Sequence, residues 1–123
     1  MQKVMSIEES AQLDIELLQG YVDNLGVSVV RKMLELYTQQ STLYIEAITL
    51  SMSEQSQTNW QDSCHKMKGA AGSVGLLQVH KQVASLEKST KDWLLKTGDI
   101  ESLIELNNQA KAAFNKWLDL KPQ

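Results

Sequence analysis

Apolar side chains recur at three- and four-residue spacing along almost the whole chain, and the strict alternation of a half-buried strand is rare. A short block spans 14–25, with Asp14 placed as an N-cap and Gly26 as the stop. A long block follows over 27–52, with Val30, Leu34, Tyr37, Tyr44 and Ile48 on one stripe. Polar residues at 53–58 predict a loop. A third helix is predicted over 59–76, with Gly75 in its last turn. A fourth is predicted over 77–96, with Val79, Val83, Leu86 and Trp93 on one side. Thr97-Gly98-Asp99 reads as a helix stop followed by a new N-cap. The last block, 100–120, turns Leu103, Leu106, Ala110, Ala113, Phe114 and Trp117 inward. The one proline, Pro122, interrupts none of these helices. The pattern predicts an all-α chain: one domain over 1–123, an antiparallel up-and-down four-helix bundle with a short N-terminal covering helix. A heptad reading of the longest helix is open, but the other helices can satisfy its apolar stripe within the chain, so a monomer is expected.

The third helix carries the unusual chemistry. On a helical projection Trp60, Cys64, Met67, Ala71 and Val74 fall on one side, and His65, Lys68, Gly69, Gly72 and Leu76 on the other. A glycine inside a helix costs roughly 0.8–1 kcal/mol relative to alanine. Two of them beside a histidine oppose local propensity. Either they allow tight helix packing inside the domain, or they clear space for something that must approach the imidazole. A histidine and a lysine on the same face favour access.

Composition narrows the function classes. The 123 residues carry a net charge of −3, which gives no basic excess for nucleic acid. No apolar run approaches a membrane span, so no direct membrane contact is expected. The N-terminus lacks a secretory pattern, and the single cysteine fits a reducing, cytoplasmic setting. Gly69, Gly72 and Gly75 do not form a dinucleotide fingerprint, no strand precedes them, and no phosphate-binding loop motif occurs. Cys64 and His65 are adjacent on a helix and point about 100° apart, so they do not make a nucleophile–base pair. Cys64 is expected in the core and His80 at the surface. A zinc site would need more ligands than Cys64, His65 and His80.

Neutral imidazole is a competent nitrogen nucleophile near neutral pH. A phosphoryl group on His65 would set negative oxygens near the Lys68 ammonium. The run His65-Lys66-Met67-Lys68-Gly69-Ala70-Ala71-Gly72-Ser73-Val74-Gly75-Leu76 resembles the signature of histidine-containing phosphotransfer (HPt) domains. It is most similar to those ending bacterial hybrid sensor kinases of the anoxia- and trimethylamine-oxide-responsive kind. Leu13-Asp14, Leu17 to Gly26, and Leu86-Glu87 extend the resemblance over nearly the whole chain.

The resemblance implies a phosphorelay intermediate in two-component signalling. His65 would be phosphorylated, Lys68 would balance the phosphoryl charge and Gly69 would open access. Gly72, Ser73 and Leu76 would meet the partner, with Lys66 at the rim. Glu87 would take the place of the polar residue that orients the histidine ring. It lies as far from Leu76 as His65 does, so antiparallel helices could bring the two level; an ordinary surface ion pair is the alternative role. The implied partners are the receiver domains of a hybrid sensor kinase and of a response regulator. No ATP-dependent kinase activity and no cofactor on this chain are expected; magnesium would sit on the receiver. The setting would be the cytoplasm, alone or within a membrane-anchored kinase. The competing reading is a helical adaptor that binds a partner helix in a glycine-lined groove without covalent chemistry.

Overall fold

A computed structural model describes residues 4–122. Ends 1–3 and 123 of the predicted domain lie outside the described residues. The described chain runs through α1 (Ile7–Ala11), α2 (Ile15–Leu25), α3 (Val27–Ser53), α4 (Gln57–Ser73), α5 (Leu77–Glu87) and α6 (Trp93–Asp119). Helices α3 to α6 form the four-helix bundle. Each packs on its neighbour in chain order, and α6 closes the ring against α3. Short connections at 54–56, 74–76 and 88–92 reverse the chain between them.

The helix starts follow local chemistry. Asp14 Oδ1 accepts the Leu17 N–H at 3.1 Å, and Ser56 Oγ accepts that of Asn59 at 3.2 Å. Gly26 separates α2 from α3 with φ +87°, a conformation glycine adopts without strain. Helix α1, which the apolar pattern does not show, buries no residue. A capping box makes it: Ser6 Oγ accepts from the Glu9 N–H, and Glu9 Oε1 accepts from the Ser6 N–H. Lys116 of α6 also reaches Glu9 Oε1, at 3.0 Å.

Helix α4 starts two residues earlier and ends three residues sooner than expected, and the largest difference lies between the last two helices. The predicted stop at Thr97-Gly98-Asp99 is interior to α6, and the break falls at 88–92 instead. The inward row Trp93, Lys96, Ile100, Leu103, Asn107, Ala110 keeps helical period straight through Gly98, which is exposed. Two polar members of that row hide its continuity. Lys96 is 1% exposed, its ammonium 4.7 Å from the Trp60 ring centroid and 3.9 Å from that of Trp93, and it donates to Gln57 Oε1 at 2.7 Å. Burial pulls this ammonium's pKa down. Asn107 donates to Ser41 Oγ at 3.1 Å and accepts the Tyr37 O–H at 2.7 Å, so the polar layer between α3 and α6 is internally bonded.

The covering segment fixes the turn between α4 and α5. The Asp14 N–H donates to Gly75 O at 2.8 Å and the Leu77 N–H to Gln12 O at 2.9 Å, an antiparallel bridge of Leu13 with Leu76. Gly75 has φ +70°, and a Cβ there would lie 3.2 Å from Leu18 Cγ. Trp60 Nε1–H donates to Leu86 O at 2.7 Å and ties the start of α4 to the end of α5. These contacts hold α4 and α5 in register, and the register brings position 65 level with position 87.

Candidate functional site

His65 projects from the middle of α4 with its side chain 69% exposed. Cys64, Trp60, Met67 and Ala71 on the opposite side are buried. The thiol of Cys64 is pushed up to about 12, chiefly by burial, with the Glu87 charge adding to the effect. It therefore stays a protonated core group beside the site.

His65 Nδ1 lies 2.7 Å from Glu87 Oε1, and Lys68 Nζ donates to Glu87 Oε2 at 2.5 Å. A carboxylate can only accept, so Nδ1 carries a proton, and in the neutral ring Nε2 is then the nitrogen with the lone pair. Among the described residues nothing bonds Nε2. The Lys68 hydrogen bond holds the Glu87 carboxyl below its ordinary value; His65 adds to the effect and burial opposes it. The three side chains form one chain of contacts, His65–Glu87–Lys68. Lys68 is thus engaged at rest, a contact the resemblance did not anticipate. Gln61, Asp62 and Lys88 complete the shallow cleft around them. Their spacing alone did not single them out, because Lys88 reaches the cleft only across the helix pair.

The two glycines differ. Around Gly69 a Cβ would meet no atom within 4 Å, so the surface beside His65 is open. Over Gly72 a Cβ would lie 3.0 Å from His80 Nδ1. The His80 ring covers this glycine and lies 3.0 Å from Lys68 O, to which Nδ1–H can donate. Access and close packing are therefore both present, one at each glycine. His80 is exposed, as expected. Ser73 is exposed, and its hydroxyl donates to Gly69 O at 2.8 Å; Lys66 is exposed on the same helix.

Leu76 does not belong to the exposed face. It is 0% exposed, beneath the bridge with Leu13. Helix α4 ends at Ser73, and the positive φ of Gly75 turns the next side chain inward, so the helical projection fails beyond that point. Leu76 as a partner-contacting residue is corrected to a core residue.

The family model described as Hpt domain matches residues 32–116, which include α4, α5 and most of α3 and α6. The chain is an Hpt domain. As such it is a phosphotransfer module of phosphorelay, two-component signalling. The aerobic respiration control sensor protein ArcB of Escherichia coli (strain K12) is 30% identical over 74 residues, and that of Shigella flexneri is equally so. Each alignment covers 60% of this Hpt domain and only 10% of the sensor protein. The solved histidine-containing phosphotransfer domain of ArcB from Escherichia coli superposes with a TM-score of 0.79 at 24% identity, covering 91% of this chain and 97% of that one. A solution structure of the same domain gives 0.79 at 23% identity, covering 92% of each chain. The similarity establishes the helical-bundle fold of this Hpt domain. Among the described residues no helix is long and apolar enough to cross a membrane, and no group of three or more His, Cys, Asp or Glu side chains is arranged to hold a metal ion.

Proposed function

We propose that His65 is the phosphoryl-accepting residue, and that Glu87 and Lys68 prepare it for transfer between receiver domains. The observation that carries this reading is the 2.7 Å contact of Nδ1 with Glu87, which orients an exposed ring with Nε2 outward. The Nε2 lone pair attacks the phosphorus of a receiver's aspartyl phosphate. A P–N bond forms, the P–O bond to the aspartate breaks, and the aspartate leaves as a carboxylate. The product ring then holds the phosphoryl group at Nε2 and the proton at Nδ1. Its positive charge lies against the Glu87 carboxylate, so no proton has to move in either direction. Lys68 faces the developing phosphoryl oxygens from one helical turn away and exchanges part of its bond to Glu87 for them. Gly69 leaves room for the donor.

In this reading the donor is the receiver domain of a hybrid sensor kinase and the acceptor is a response regulator. The magnesium ion and its acidic ligands belong to the receiver, and this chain needs no cofactor of its own. It works in the cytoplasm, alone or as one module of a membrane-anchored kinase.

His65→Gln tests the assignment. The variant should melt like the wild type, because an exposed ring contributes little to packing. It should lose all phosphoryl transfer from a phosphorylated receiver, whereas His80→Gln should transfer. The wild-type adduct should be lost in mild acid, as a phosphoramidate is. Full acceptance by the His65 variant would overturn the assignment, and binding without any acid-labile adduct would favour the adaptor reading.

A further inference from the structure

The bundle satisfies one apolar stripe of α3 and leaves a second outside. Val30, Leu34, Tyr37 and Ile48 are buried. Val29, Leu36, Leu43 and Leu50 recur every seventh residue and remain 43%, 58%, 63% and 58% exposed. Single exposed leucines are ordinary; a heptad-spaced row marks one outer face of the helix. At 1.5 Å rise per residue the row is roughly 32 Å long. This spacing suits a left-handed pairing with another helix.

We propose that this row is a self-association surface, on which α3 packs antiparallel against α3 of a second copy. The occupant follows from shape and charge. A twofold axis between Gln39 and Gln40 sets Leu36 opposite Leu43 and Val29 opposite Leu50, so the row is complementary to its own reverse. Lys32 and Glu46 are both exposed, lie on the same flank of the row, and belong to none of the ion pairs described within the chain. An axis perpendicular to the helices brings like flanks together while reversing direction. Lys32 then stands about level with Glu46 of the second copy, and the pair occurs twice. In a parallel arrangement opposite flanks meet, which sets Lys32 beside Met33 and Glu46 beside Ala47, with no ion pair. Glu35, exposed on the same flank, stands two residues from level with Glu46 of the second copy and offsets part of this pair; the parallel arrangement has no ion pair at all, so the charges favour the antiparallel dimer. One helix pair of this length buries less than the roughly 1,200 Å² of a standard interface, so the dimer is a weak one. The proposal departs here from the monomer expected from the pattern.

The row borders a groove between α3 and α4 lined by Met33, Leu36, Gln40, Ala70 and Ser73. A second copy would cover the Ser73 side of the helix that carries His65. On the phosphotransfer reading, dimerisation and receiver docking then compete.

Sedimentation equilibrium of the unphosphorylated chain at low salt tests the proposal, over about 1 μM to 1 mM, the span of weak association. The mean mass should climb from 13.8 kDa toward twice that value. Leu36→Glu with Leu43→Glu should hold it at the monomer mass with unchanged helicity, since both side chains are exposed. Lys32→Glu should weaken association about tenfold, a typical scale for a close charge pair, and adding Glu46→Lys should restore it. His65→Gln should associate like the wild type, which separates this outcome from that of the phosphotransfer test. A monomer mass throughout, a dimer indifferent to the leucine variants, or no rescue by charge reversal would each overturn the proposal. So would stripe variants that abolish receiver binding while the wild type never self-associates, because the row would then belong to a different partner.

Discussion

Replacing Glu87 probes the contact on which the site turns. Glu87 accepts from the His65 ring and from Lys68 at once, so Glu87→Ala removes an orienting bond and releases an ammonium. A hydrogen bond to a charged group is worth about 1.5–3 kcal/mol; the 69% exposure of the His65 side chain lowers this to about 1–1.5 kcal/mol. If that bond orients the ring during attack, single-turnover transfer from a phosphorylated receiver should slow about five- to tenfold. Glu87→Gln keeps an acceptor for Nδ1–H without the charge and should lose about half of that free energy. A double-mutant cycle with Lys68→Ala separates the two possible routes. If Glu87 acts on the ring, its deletion slows transfer equally in the Lys68→Ala background. If it acts only by holding Lys68, the effect disappears there. A carboxyl titration followed by NMR gives an independent check. The folded pKa of Glu87 is lowered from 4.5, so the stabilisation it brings is complete above that pH and is lost as pH falls through the folded value. Lys68→Ala should move the titration upward. Wild-type transfer by Glu87→Ala would refute the orienting role.

Two further variants separate packing from access and structure from charge. Gly69→Ala should stabilise the fold by about 0.8–1 kcal/mol, the full propensity gain, whereas Gly72→Ala should gain less because its Cβ displaces the His80 ring. Chemical denaturation should show the difference vanish in a His80→Ala background; a persistent difference would mean that His80 is not the obstacle. Lys96→Ala should cost about 2–4 kcal/mol through the cavity between Trp60 and Trp93 and the stranded Gln57 acceptor. Lys96→Met should cost less than about 1.5 kcal/mol, since an apolar side chain of similar volume removes a buried charge. Equal melting temperatures for the two would show that the cation itself, rather than its volume, is what the core requires.

The linear pattern determined the all-helical class, the inner stripes of the long helices and the caps at Asp14 and Gly26, because helical period and capping act over a few residues. It also isolated His65, Lys68 and Gly69 on one exposed face. The family resemblance put Glu87 forward as the partner of His65, equal spacing about Leu76 agreed with it, and the structure puts the two in contact. What the pattern missed depends on neighbours distant in sequence. Gly98 looks like a stop until Trp60 and Gln57 supply partners for a buried Lys96, which carries the helix through it. Leu76 looks exposed until the bridge from Leu13 folds over it. The roles of Gly69 and Gly72 diverge only because His80, one helix on, covers one of them. Lys68 pairs with Glu87 only once α4 and α5 lie side by side. Periodicity tells which side of a helix is apolar; only the packed bundle decides which polar groups lie close enough to bond and which apolar face is left without a neighbour.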